Sequence, residues 1–265
     1  VIERVELNHY LSVKSNWPRR LLGWETYDVR RTASHVTAEY DSDRYAPLLE
    51  VDGDAEAYKV REFDVLGMPQ DKPEYFSLGE EVFRAPLSLV RQIQYAITTD
   101  LVRKWRDGAL CELGCGYGFN LSYLGGDVYG GDFSANAVRI GKRLGFDVCS
   151  FDYYDPATYE FIRPQSTILT VHSVEQIPDA SPFIDNLSRQ RGKIGLVIQI
   201  EPTFLPERAT LLGMIRNRFN EMIDHNRNLF TLLRERADIE ILAFERDVFG
   251  IHPLNPASTI VWRFR

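Results

Sequence analysis

From about residue 109 to its end, the chain alternates short apolar runs with helix-patterned stretches, and this rhythm restricts the fold more than any other feature. "ALCEL" (109–113), "DVYGGDF" (127–133), "FDVCSFD" (146–152), "STILTVHS" (166–173) and "KIGLVIQIEP" (193–202) read as strands. Between them "FNLSYL", "SANAVRIGKRLG", "PATYEFI" and "SPFIDNLSRQ" read as helices, the second capped by Ser134 and ended by Gly145. The fifth run is apolar nearly throughout, as in a strand buried on both faces. Such alternation demands a parallel sheet covered by helices on both sides. A long helix over about 207–235 follows, with Leu211, Ile215, Phe219, Met222, Ile223, Phe230 and Leu233 on one face. "IEILAFERDVF" and "STIVWRFR" then arrive with no helix between them, so the closing strand is antiparallel. The expected fold is α/β: a seven-stranded, mostly parallel sheet with an antiparallel last strand and helices on both faces.

Residues 1–85 lack this alternation and carry scattered aromatics, among them Tyr10, Trp17, Trp24, Tyr27, Tyr40, Tyr45, Tyr58, Tyr75 and Phe76. They are expected to form a mainly helical cap packed on the sheet domain, 86–265, whose first helix runs from about Pro86 to Trp105. The aromatics either line a small-ligand pocket or staple the cap to the sheet.

The formal net charge of -7 over 265 residues argues against a broad nucleic-acid footprint. No apolar run approaches the ~18–20 residues of a membrane span. The opening "VIERVELNHY" is charged and holds no signal-peptide core. Cys111, Cys115 and Cys149 are odd in number and lack metal-ligand spacing, which favours free thiols in a reducing, cytoplasmic setting and no metal. A homodimer is compatible with all of this.

"CELGCGYGFN" (111–120) places glycines at 114, 116 and 118, in the first strand-to-helix turn of the series. Glycine lets backbone approach a ligand closely, and the following helix start offers free N–H groups. The dinucleotide pattern G-x-G-x-x-G is missed by one residue, since position 119 is Phe, and no G-K-[ST] ending is present. "CELGCGYG" followed by "VYGGDFS" resembles the class I S-adenosylmethionine (SAM) methyltransferase family. Glu112-Leu113-Gly114-Cys115-Gly116-Tyr117-Gly118 matches that family's first motif, and Asp132 matches its acid at the end of the second strand. Asp152 fits the acid after the third strand, and the closing strand pair is also the family's.

The resemblance implies SAM as cofactor and the turn of Gly114, Cys115, Gly116 and Gly118 as its seat, against the methionine portion. Asp132 suits the two ribose hydroxyls, because a carboxylate accepts two hydrogen bonds side by side. Asp152 suits the adenine amino group, Phe133 a stacking contact on adenine, and Glu112 the ammonium. Each has a plainer alternative: Glu112 pairing with Arg103 or Lys104, Phe133 in the core, Asp152 capping the next turn.

Methyl transfer is an in-line displacement, for which a hydroxyl acceptor profits from a general base. Among the five histidines, His172 lies just past the fourth strand, at the sheet edge where ligands bind, with Glu175 three residues on. These are the expected catalytic pair, His172 also bordering the cofactor; a structural histidine is the alternative. The stretch "DHNRN" (224–228) is either an exposed turn or an acceptor-binding edge near Glu201. The [DNS]-P-P-[YFW] motif of base-methylating relatives is replaced by "HSVEQIP", which turns the expectation to a small-molecule acceptor. O-methylation in a sugar or natural-product pathway leads. N-methylation of an amino acid or amine, a SAM-using cyclase and a SAM-binding regulatory protein are the alternatives.

Overall fold

The computed structural model describes residues 1–13, 16–27 and 30–265. Its strands are β1 (Glu3–Val5), β2 (Pro73–Leu78), β3 (Glu81–Pro86), β4 (Leu110–Leu113), β5 (Val128–Asp132), β6 (Val148–Ser150), β7 (Ser166–Val171), β8 (Ile194–Pro202), β9 (Ile239–Gly250) and β10 (Ala257–Phe264). They form one sheet in the order β1-β3-β2-β9-β10-β8-β7-β4-β5-β6. The run β8-β7-β4-β5-β6 is parallel, and β10 lies antiparallel between β8 and β9. Every expected strand from residue 109 onward is present. The chain steps outward from β4 to β6 and then returns to β7 on the other side of β4. That reversal opens a crevice at the carboxyl ends of β4 and β7, where open α/β sheets bind ligands.

Helices cover both faces. Phe183, Ile184 and Leu187 of helix Ser181–Arg189, with Leu229, Phe230 and Leu233 of helix Leu229–Glu235, pack on one side. Val102, Leu101 and Trp105 of helix Leu87–Trp105 pack on Leu110, Leu169, Ile198 and Val261 on the other. Trp262 is fully buried and gives its indole N–H to Gln199 Oε1 at 2.8 Å, so the one polar atom of a large core side chain is satisfied.

The sheet differs from the seven-stranded expectation, because ten strands share it among the described residues. β9 would otherwise be an edge with an open ladder, and β2 pairs with its end through Ser77↔Gly250 and Leu78↔Phe249. The N-terminal region is therefore not simply a helical cap: β1, β2 and β3 extend the main sheet, and only the segments between residues 7 and 65 are helical. The long helix over 207–235 is also corrected. It divides into Leu211–Met222 and Leu229–Glu235. Asp224 takes a left-handed φ of 54°, and Asn226 Oδ1 accepts the Asn228 and Leu229 amides, at 3.2 and 2.8 Å, to start the second helix. Among the described residues, no helix is long and apolar enough to cross a membrane.

Candidate active site

β4 delivers Glu112 and then the glycine turn. Gly114 and Gly116 have φ of 74° and 55°, which side-chain-bearing residues adopt at a cost. Space is equally restrictive: a Cβ on Gly114 would lie 2.5 Å from Ser173 Cβ, and one on Gly116 would lie 2.7 Å from Tyr45 Oη. Asp132, at the end of β5, closes the turn from below. Its Oδ2 accepts the Gly116 amide at 2.8 Å and its Oδ1 the Ser134 amide at 2.9 Å. Burial raises the Asp132 carboxyl to about 6, against the pull of these amides. Ser134 caps helix Ala135–Arg143 by accepting the Ala137 amide at 3.0 Å. Asp41, from the N-terminal region, accepts from the Ser134 hydroxyl and, at 3.0 Å, from the Asn136 amide.

Glu112 is buried, and its Oε1 accepts Asn120 Nδ2 at 2.6 Å. Its Oε2 has no hydrogen-bond partner. Desolvation raises this carboxyl to about 8, so in the free protein it tends to hold a proton at neutral pH. The alternative pairing with Arg103 or Lys104 is not among the contacts of its oxygens.

The other end of the site starts where β7 stops. His172 has a left-handed φ of 51°, and its amide donates to Ile200 O at 3.0 Å. The bend is secured by Glu201 at the end of β8, a fully buried carboxylate. Glu201 accepts the amides of Ser173, Val174 and Glu175 at 3.1, 3.2 and 3.3 Å. Desolvation, then the charge of Glu175, raises it to about 7. His172 Nδ1 lies 3.6 Å from Glu175 Oε1, and His225 Nδ1 lies 3.3 Å from Glu175 Oε2. Gln176 and Asn255 add side-chain N–H donors to the same carboxylate. Burial opposes ionisation of Glu175, but this ring of partners outweighs it and holds the carboxyl well below the usual range. Burial alone would lower His172; its contact with Glu175 reverses this and raises it. Burial wins at His225, which is lowered although Glu175 pulls it the other way.

Both ends open on one cavity of about 620 Å³. Of the expected residues, Glu112, Gly114, Cys115, Gly116, Asp132, Phe133, His172 and Glu175 line it. Gly118 does not: it packs against Phe146, where a Cβ would stand 3.0 Å from the ring. Asp152 also stays outside, exposed, with Oδ1 accepting the Tyr154 amide at 2.9 Å in a local turn. Phe133 stands half-exposed at the mouth, its ring 6.4 Å from that of Tyr40.

Compared with solved structures, the chain is similar to magnesium protoporphyrin IX methyltransferase (ChlM) from Synechocystis PCC 6803 with bound S-adenosylhomocysteine (SAH). The TM-score is 0.53 at 11% identity, over 88% of this chain and 100% of that one. The fold is the class I SAM-dependent methyltransferase fold. Weaker likenesses include a possible histamine N-methyltransferase from Thermotoga maritima, with TM-score 0.47 and 17% identity over 66% of this chain and 91% of that one. The plantazolicin methyltransferase BpumL has TM-score 0.44 and 12% identity over 88% and 98%. No family model and no curated protein matches the sequence.

On this methyltransferase fold, the N-terminal region supplies site residues that the strand pattern does not signal. Helix Ala38–Tyr45 is wound as a π-helix, a form often found at functional sites, and places Tyr40, Arg44 and Tyr45 in the cavity wall. Glu62 lies beneath, accepting Lys59 Nζ at 2.8 Å and Tyr117 Oη at 3.0 Å. Scattered aromatics were the one visible sign of this wall; Lys59 and Glu62 carry none, since an ordinary helix face would look the same.

Proposed function

We propose that the chain is a SAM-dependent methyltransferase of a small molecule, most simply an O-methyltransferase of a sugar or natural product. The observation that carries this reading is Glu112. It is a buried carboxyl oxygen without a partner, beside a glycine turn, in a cavity whose opposite end holds an imidazole backed by a carboxylate. The chemistry of the donor set suits the cofactor: Glu112 for the ammonium, the remaining lone pairs of Asp132 for the ribose hydroxyls, and Phe133 for the adenine face. Asp152 holds its own turn outside the cavity, which favours the plainer of its two readings.

When bound, SAM supplies a methyl group already activated on a sulfonium. The chain's tasks are then alignment, exclusion of water and removal of a proton. His172 takes the acceptor hydroxyl's proton on Nε2. Glu175 orients the ring through Nδ1 and stabilises the imidazolium that forms, and Gln176 with Asn255 keeps Glu175 in place. Tyr40, Tyr45 and Phe133 cover the cofactor end against water.

The test is calorimetry with SAM, followed by product analysis on a panel of hydroxylated small molecules. Binding together with SAH formation supports the reading. Formation of methylthioadenosine would replace it by cyclisation, and binding without turnover of any acceptor would favour a regulatory role. Unaltered SAM affinity in Asp132→Ala would remove the assigned cofactor site.

A further inference from the structure

Glu175 also borders a second cavity, of about 250 Å³. Trp17, Tyr27, Phe219 and Ile223 line it, and Tyr40, Glu175, Gln176, His252 and Asn255 line both cavities. The aromatic side is closely set: Trp17 and Phe219 centroids are 4.6 Å apart, and Phe219 stacks on His252 at 5.0 Å and 28°. The shared wall is polar and incompletely satisfied. Gln176 Nε2 donates to Glu175 Oε1 at 2.9 Å, and Asn255 Nδ2 to Glu175 Oε2 at 3.1 Å. A carboxylate only accepts, so each amide must turn its NH₂ toward Glu175 and its carbonyl oxygen away. Gln176 Oε1 and Asn255 Oδ1 are both buried and accept no hydrogen bond. Buried acceptors without donors are uncommon, and two of them lie on the one wall between the cavities.

We propose that the second cavity is the distal part of the acceptor site, and that it takes a planar ring carrying hydroxyl or amino groups that donate to Gln176 and Asn255. Trp17, Tyr27 and Ile223 provide the matching apolar surface, with Phe219 packed between Trp17 and His252. The ring's reactive substituent reaches past the two amides toward His172. The assignment to an acceptor site and that last placement rest on the methyl-transfer reading; the ring pocket does not.

Saturation-transfer NMR on the full chain, with phenol, aniline, cyclohexanol and toluene as probes, tests this. Phenol or aniline is expected to give a signal at least about fivefold above cyclohexanol, which lacks the flat ring, and toluene, which lacks the donor. Trp17→Ala should reduce the phenol signal by a similar factor while SAH affinity stays within about twofold. Ile223→Trp, which fills the cavity, serves if Trp17→Ala does not fold. Equal signals from cyclohexanol or toluene, or a variant that melts like wild type and keeps its phenol signal, would overturn the proposal. Uptake of phenol without SAH would remove the methyl-transfer reading and leave the pocket; uptake of SAH without phenol or aniline would do the reverse.

Discussion

At the scale of single residues, buried carboxyl groups dominate the behaviour of the site. Glu112, Glu201 and Asp132 are raised to about 8, 7 and 6 by desolvation. A carboxyl whose folded pKa exceeds its unfolded value binds more protons when folded, so stability falls as pH rises between the two values. From pH 6.5 to 8 these three groups should cost the free protein about 2–3 kcal/mol, read as a fall in Tm of several degrees by scanning calorimetry. Glu175, held low, affects only the acid side, below the ordinary glutamate range. If the SAM ammonium meets Glu112, binding near pH 7 should expel up to about one proton, visible as a buffer-dependent binding enthalpy. Glu112→Gln should remove that dependence and weaken SAM at least about tenfold, or ~1.4 kcal/mol. An enthalpy independent of buffer would detach Glu112 from the ammonium. For the base, His172→Ala should lower turnover by about 10²-fold or more with SAM affinity little changed. Because Glu175 raises His172, wild-type turnover should rise with pH through a value above that of a free imidazole.

The elements show where sequence patterns inform and where they fail. β7 and β8 were legible because strands buried on both faces are written as Val, Ile and Leu runs, and β4, β5 and β6 as shorter apolar stretches between turn residues. β9 and β10 were legible because no helix pattern separates them. β1, β2 and β3 were not, since their place in the sheet depends on β9, some 170 residues away along the chain, and a short hairpin signals its own turn but not its partner. The break at 223–228 was half-visible: "DHNRN" interrupts the apolar face, but docking of the Asn226 amide on Glu175 O at 2.9 Å is a tertiary contact with no local signature. A buried charge network ties these elements together. Asp247 of β9 sits between Arg208 and Arg216, all almost wholly buried, and Arg216 also donates to Pro253 O and Gly79 O at 3.0 and 2.9 Å. Asp247→Asn leaves Arg208 without a carboxylate partner and Arg216 with Glu80 alone at 4.0 Å, and should cost about 3–5 kcal/mol in chemical denaturation. A loss under 1 kcal/mol would show that solvent reaches the network.

Over the whole molecule, the glycine-turn half of the cavity was readable from motifs, while of the opposite half only His172 and Glu175 were. Glu112, the glycines and Asp132 sit close in sequence to strand ends, where chain order dictates spatial order. Arg44, Tyr45, Glu62, Gln176 and Asn255 meet only because separate regions fold over one crevice. The sheet runs unbroken from β1 to β6, so the N-terminal region cannot swing away as a block without tearing the ladder between β2 and β9. The cavity mouth at Phe133 lies beside Tyr40 of the π-helical segment, so any widening of that mouth falls not to the sheet but to this segment. Its clasp is narrow: Asp41 on Ser134 and Asn136, with Arg143 holding Leu49 O at 2.8 Å farther along. The residence time of a bound nucleoside would then depend in part on Asp41, whose contacts reach only the start of the helix after β5. Asp41→Ala should speed SAH release in stopped-flow experiments several-fold while leaving single-turnover chemistry unchanged.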